Sequence, residues 1–184
     1  ETFFLVNGTT AGILAVLLAK SRPGSKVVLP RNSHQAVIHG IILSGAHPVY
    51  LPVPYHTALG LPGQITATDL ESCLAALDED ALIVLLHPSY YGLVGELRQQ
   101  VLTAHRYNCT VLVDEAHGAH FGTSPHFPLT ALEAGADFAA QGAHKVLGSF
   151  TQSAYLHCQD KSELEGIRAC LGVKSGGRLI KEYE

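Results

Sequence analysis

The chain has 184 residues, 47% hydrophobic and 15% charged, with a formal net charge of −4. This length and apolar content suit one domain with a real core and exclude a disordered chain. With no basic run and no apolar stretch of membrane-spanning length, neither nucleic acid nor a membrane is an expected partner.

The opening Glu1-Thr2-Phe3-Phe4-Leu5-Val6 lacks the basic lead of a signal peptide. Beyond it, short β-branched runs alternate with helical patterns. Strands are predicted at Lys26–Leu29, Pro48–Leu51, Leu82–Leu86, Thr110–Val113, Asp137–Ala140 and Ala154–His157, and helices near 9–21, 33–44, 67–77, 96–107 and 128–134. Thr68-Asp69-Leu70-Glu71 reads as a capped start of the third helix. The alternation predicts an α/β fold of three layers, α/β/α, with a mostly parallel sheet and ligands beyond the carboxyl ends of its strands. Pro52-Val53-Pro54 and Leu61-Pro62-Gly63 bracket one longer loop, either over the site or a surface connection. From Gln159 onward the chain turns polar and glycine-rich, and 159–184 reads as a weak helix followed by a poorly ordered tail. Cys73, Cys109, Cys158 and Cys170 form no CxxC pair, the pattern of reduced thiols in a cytoplasmic protein. The lack of Met suggests an internal piece of a longer protein.

Several segments carry chemistry. Asn7-Gly8-Thr9-Thr10-Ala11-Gly12 precedes an apolar helix, where free N–H groups and hydroxyls suit a phosphate; the same residues also read as a Thr cap after a glycine turn. His34, in Arg31-Asn32-Ser33-His34-Gln35, follows a strand and suits stacking on a planar ring, or else belongs to a capping cluster with Ser33 as N-cap. In His87-Pro88-Ser89-Tyr90-Tyr91-Gly92, Ser89 or Tyr90 is placed to face a ligand, while Tyr91 is expected to cover the sheet. Asp114-Glu115-Ala116-His117-Gly118-Ala119-His120 begins where the apolar run Thr110–Val113 ends, and a buried acid there requires a partner. His117 reads as a cofactor or substrate contact, and His120 and His126 as loop histidines. A helicase reading of Asp-Glu-Ala-His fails for want of a phosphate loop with a lysine, and no ligand set for a metal stands out. Lys145 closes Gln141-Gly142-Ala143-His144-Lys145 and alone reads as a solvated lysine at a strand end. The stretch between Asp114 and Lys145 leaves room for a helix and one further strand, so that both can reach one pocket. A strand-end carboxylate with a lysine is what pyridoxal 5'-phosphate (PLP) requires. The lysine forms an imine with the aldehyde, and the acid keeps the ring nitrogen protonated.

Taken together, Asn7–Gly12, Arg31–His34, Pro88–Gly92, Asp114–Phe121 and His144-Lys145 with Thr151-Gln152 form an ordered set. It resembles the Orn/Lys/Arg decarboxylase family, PLP enzymes of the aspartate-aminotransferase fold (fold type I). The resemblance implies an incomplete large domain of that fold, with 1–158 as the central part of its PLP-binding body and 159–184 as a divergent end. It implies that Gly8, Thr9 and Thr10 hold the phosphate, His34 stacks on the pyridine ring, and Ala116 packs on the ring's other face. Asp114 would pair with the ring nitrogen, His117 would lie near O3′ and the substrate, His144 beside the phosphate, and Lys145 would carry the cofactor. The family often has Ser where this chain has Gly142, so a phosphate-binding hydroxyl is lost while the Gly142 N–H remains.

The implied reaction is decarboxylation of arginine, lysine or ornithine, as in polyamine metabolism, with Lys145, Asp114 and His117 as the catalytic set. A homodimer or larger assembly, completing the site across its interface, is implied as well. By this resemblance, the 184 residues do not extend over the family's substrate-contacting C-terminal domain or the segments before its phosphate loop. Two alternatives stand beside this reading: a non-catalytic remnant that binds PLP weakly, and another fold-type-I reaction such as acyltransfer or aldol-type cleavage.

Overall fold

Ala81–Leu86 and Thr110–Val113 are apolar on both sides of the pleat, a pattern stable only in strands covered on both faces. The computed structural model, which describes residues 1–77 and 79–174, places them at the sheet centre. In chain order the elements are β1 (Thr2–Leu5), α1 (Gly8–Lys20), β2 (Lys26–Pro30), α2 (Gln35–Ser44), β3 (His47–Leu51), β4 (Tyr55–His56) and β5 (Leu61–Pro62). There follow α3 (Ala67–Ala75), β6 (Ala81–Leu86), α4 (Leu97–Arg106), β7 (Thr110–Glu115), β8 (Phe138–Gln141), α5 (Ala143–Val146), β9 (Ala154–Cys158) and α6 (Leu164–Lys174).

Seven strands form one sheet in the order β1-β9-β8-β7-β6-β2-β3. Within it only β9 runs against its neighbours, β1 and β8. β4 and β5 pair separately as a short hairpin in the loop bracketed by prolines. Strand alternation divides the core in two. Leu82, Val84 and Leu112 face α1 and α2, whereas Ile83, Leu85, Val111 and Val113 face α3 and α4. The result is the predicted α/β/α sandwich. The same alternation sends Asp114 and Glu115, consecutive at the end of β7, to opposite faces of the sheet.

Four local expectations change. β1 was not predicted as a strand; it pairs along β9, with Phe3 opposite Leu156. The cap of α3 is Thr66 rather than Thr68, in a reciprocal capping box with Asp69. α2 is capped by His34 itself rather than Ser33. The helix expected over 128–134 does not form. Glu133 caps the Thr130 N–H at 2.8 Å and Ala134 bonds back to Thr130, but Gly135, at φ +97°, ends the structure after one turn. In the segment read as a weak helix, α6 packs Ile167 and Leu171 into the core against α1. The tail expected after it lies outside the described residues.

Candidate active site

After β2 the chain enters α2 on one face of the sheet, and after β6 it reaches α4 on the other. Where adjacent parallel strands send their helices to opposite faces, a crevice opens beyond their carboxyl ends. The structure has a cleft of about 120 Å³ there.

Asp114, 4% exposed, supplies the cleft's acid. Its Oδ1 accepts the Ala116 N–H at 3.2 Å. Burial pushes the Asp114 carboxyl above its ordinary range, while that bond and the charges of His34 and Lys145 pull it partly back. His34 lines the cleft from the start of α2. Its Nδ1 accepts the Ala36 N–H at 3.1 Å, which fixes the ring. Thr9, buried in the first turn of α1, brings a hydroxyl and the positive helix end to the same space. Gly8, at φ +69°, donates its N–H to the Gln152 carbonyl at 2.8 Å.

Lys145, on α5, and His117, just after β7, complete the cleft with Nζ and Nε2 3.1 Å apart. Burial, then the charges of Lys145 and His34, hold His117 below the ordinary imidazole range, so its Nε2 is available as an acceptor from Nζ. Ala116 also lines the cleft and is small enough to leave room for a flat group.

The sequence-derived set therefore divides. Thr9, His34, Asp114, Ala116, His117 and Lys145 meet around one space. Thr10 is half-buried in the first turn of α1. His144 turns both its Nδ1 and its backbone N–H to the Ser153 carbonyl, at 2.8 and 3.2 Å, and so anchors the loop that follows α5. The Gly142 N–H, left open for a phosphate by the sequence reading, donates to the Ala116 carbonyl at 3.2 Å. Tyr91, expected to cover the sheet, lines the cleft beside Tyr90 and Ser89. Asn32 and Pro62 line it too, the latter from the β4–β5 hairpin.

Sequence reasoning passed over Glu115. It is fully buried, accepting from the Ala131 N–H at 2.8 Å and the Gln141 side-chain amide at 2.7 Å. Burial raises its pKa to about 7 against those two bonds. The signal was its position: one residue beyond Asp114 in a doubly covered strand, it had to be buried as well.

The family model for the Orn/Lys/Arg decarboxylase major domain matches residues 1–170. The uncharacterized protein YaaO of Bacillus subtilis is 44% identical over 168 residues, 91% of this chain and 35% of that protein. An arginine decarboxylase of B. subtilis is 38% identical over 187 residues, 98% of this chain and 38% of its own length. The chain thus spans just over a third of these relatives. Among solved structures, N-succinyldiaminopimelate aminotransferase from Mycobacterium tuberculosis superimposes with a TM-score of 0.74 at 24% identity, over 96% of this chain and 47% of that one. The structural neighbours are PLP enzymes of fold type I, and the fold here is the same.

The residues present fit that cofactor. A buried carboxylate with one short-range donor calls for a cationic N–H partner, which a protonated pyridine supplies. A lysine, a ring-bearing cap residue and a helix start surround it. With the motifs, the fold and the match over 1–170 in agreement, this chain belongs to the Orn/Lys/Arg decarboxylase family, as part of its major domain.

Proposed function

We propose that the chain forms the PLP-binding core of an enzyme that decarboxylates a basic amino acid. The observation that carries this reading is the convergence of Asp114 and Lys145 on one cleft lined by His34. The arginine decarboxylases among its relatives, and a lysine decarboxylase from Pseudomonas aeruginosa at 28% identity, support the substrate class.

When bound, PLP supplies a protonated ring that takes up the electron pair released as a carboxylate departs. Asp114 holds the ring-nitrogen proton by charge-assisted hydrogen bonding, its own position set by the Ala116 N–H. Neutral His117 accepts a hydrogen bond from Nζ of Lys145 at Nε2, which orients the lysine in the cleft, where it would hold the cofactor. His34, held by its cap bond, offers the face of its ring, and Thr9 at the start of α1 binds an anion. We further propose a homodimer. Tyr90 and Tyr91 line the cleft yet remain 76% and 53% exposed, which supports closure of the site by a second copy.

The test joins two measurements. Borohydride reduction of the purified protein with PLP, followed by peptide mapping, should place a pyridoxyl group on Lys145. Carbon dioxide release should be seen with arginine, lysine or ornithine and disappear in Asp114→Ala. A pyridoxyl group on another lysine, or full turnover by Asp114→Ala, would refute the assignment.

A further inference from the structure

Two adjacent contacts tie the Asp114 strand to the Lys145 turn. The Glu115 carboxylate holds the side chain of Gln141, and the Ala116 carbonyl holds the N–H of Gly142. Gln141 is the last residue of β8, and the Lys145 N–H in turn bonds to the Gly142 carbonyl at 3.2 Å. On its other side Gln141 is braced: its Oε1 lies 3.0 Å from His157 Nε2, and His157 Nδ1 lies 2.8 Å from Thr2 Oγ1. The row crosses β7, β8, β9 and β1 beneath the catalytic end of the sheet.

Its polarity follows from the ends. Glu115 accepts at both oxygens, from the Ala131 N–H at one and from the Gln141 amide group at the other, so Oε1 of Gln141 points away. His157 must then carry its proton on Nε2, leaving Nδ1 to accept from the Thr2 hydroxyl. No atom in the row is left without a partner of the right kind.

We infer that Glu115 is a positioning residue, which, through Gln141 and the His157–Thr2 brace, fixes the lysine turn relative to Asp114. This rests on the assignment of Lys145 as the cofactor-bearing lysine. Glu115 touches none of the reacting atoms. It sets the separation between the two groups that do, a distance to which rates are steep.

The row has a chemical signature that simple packing lacks. A glutamine at 115 has one acceptor and one donor. Its oxygen can keep the Ala131 N–H, and its amide can donate to Gln141 once that side chain turns over. Gln141 then donates to His157 Nε2, and the imidazole proton moves to Nδ1, where Thr2 Oγ1 accepts it. A leucine at 115 permits no such reversal and leaves two buried donors unpaired.

The purified protein, Glu115→Leu, Glu115→Gln and Gln141→Leu are compared in three readouts. These are the rate of borohydride-trapped pyridoxyl labelling at Lys145, amide exchange at Gly142 and Lys145, and the ¹⁵N shifts of His157. Glu115→Leu should slow labelling by about 10- to 100-fold and speed exchange at Gly142. Glu115→Gln should restore both, with the His157 proton moved from Nε2 to Nδ1. Parental labelling and exchange in Glu115→Leu would overturn the proposal, as would a Glu115→Gln protein as slow as Glu115→Leu. If Glu115→Leu does not fold, Gln141→Leu decides in the same way, with loss in support and parental behaviour against. If the parent itself is not labelled at Lys145, the cofactor assignment fails, and Gly142 exchange alone decides the clamp.

Discussion

Within the cleft, Nζ of Lys145 and Nε2 of His117 are 3.1 Å apart, a cation beside an imidazole that burial keeps neutral. An NMR titration should therefore find the His117 midpoint below that of a free histidine. Lys145→Ala should raise it only part of the way back, because burial is the larger cause and the lysine charge the second. The stability consequence has a definite sign. As pH falls below the ordinary histidine value of 6.5, the unfolded chain takes up a proton that the folded chain resists, so stability is lost on the acid side. A His117 midpoint unmoved by Lys145→Ala would show that the two side chains do not meet in solution.

Burial of the Asp114 carboxylate costs the fold stability. Its raised pKa means that the folded protein holds this proton more tightly than the unfolded chain. Stability is then lost as pH rises from the ordinary value of 3.8 through the raised one. Asp114→Asn keeps an oxygen for the Ala116 N–H without the charge. In urea unfolding at neutral pH without PLP, it should be more stable than the parent by about 1–3 kcal/mol. The same variant should retain PLP more weakly. A less stable Asp114→Asn protein would show that the carboxylate is already well paired without a ligand.

Glu115 and His157, two residues of one hydrogen-bonded row, pull stability in opposite directions with pH. Glu115, raised from 4.5 to about 7, destabilises the fold as pH climbs through that interval. His157, lowered from 6.5 to about 4 chiefly by burial, destabilises it as pH drops through its own. The two slopes oppose each other where the intervals overlap. Glu115→Gln removes one of them, so its stability relative to the parent should grow with pH between 4.5 and about 7, by at most about 3 kcal/mol. Chemical denaturation of both proteins at several pH values measures this directly, and a constant difference would contradict it.

Gly142 stands where the family often carries serine, but this backbone has no space for the side chain. A Cβ there would lie 2.6 Å from the Ala116 carbonyl oxygen and 3.1 Å from Cδ of Lys145. Gly142→Ala should therefore cost about 1–3 kcal/mol in thermal or urea unfolding. Gly142→Ser should not tighten PLP retention, because the lysine turn must shift before the hydroxyl can reach a phosphate. Tighter retention with unchanged stability would indicate that the turn yields readily.

The central strands were legible because β6 and β7 are apolar on both faces, a pattern that local sequence displays. β1 was not. Its four residues are marked only by β9, some 150 positions later, a partner that no sequence window contains. The 128–134 helix was misread because its opening signal, Thr130 with Glu133, is genuine, while the glycine that stops it also occurs inside ordinary helical patterns. At the site, Asp114, His34 and Lys145 were recognisable by chemical type and order. Glu115 was hidden by that chemistry: beside an acid singled out for its place at a strand end, a second acid reads as solvated charge unless the covered strand is followed one residue further. The capture of the Gly142 N–H by Ala116 was invisible for a different reason, since backbone pairing depends on where two loops end.

The antiparallel β9 has a consequence for how the molecule comes together. β1, the first strand, can join the sheet only through β9, and β9 follows the lysine turn directly. During synthesis β2, β3, β6, β7 and β8 can pair while β1 and the start of α1 still wait for their partner. The same seam joins Gly8 to the Gln152 carbonyl and Thr2 to His157. The start of α1 and the lysine turn therefore come together only once the chain is made through β9.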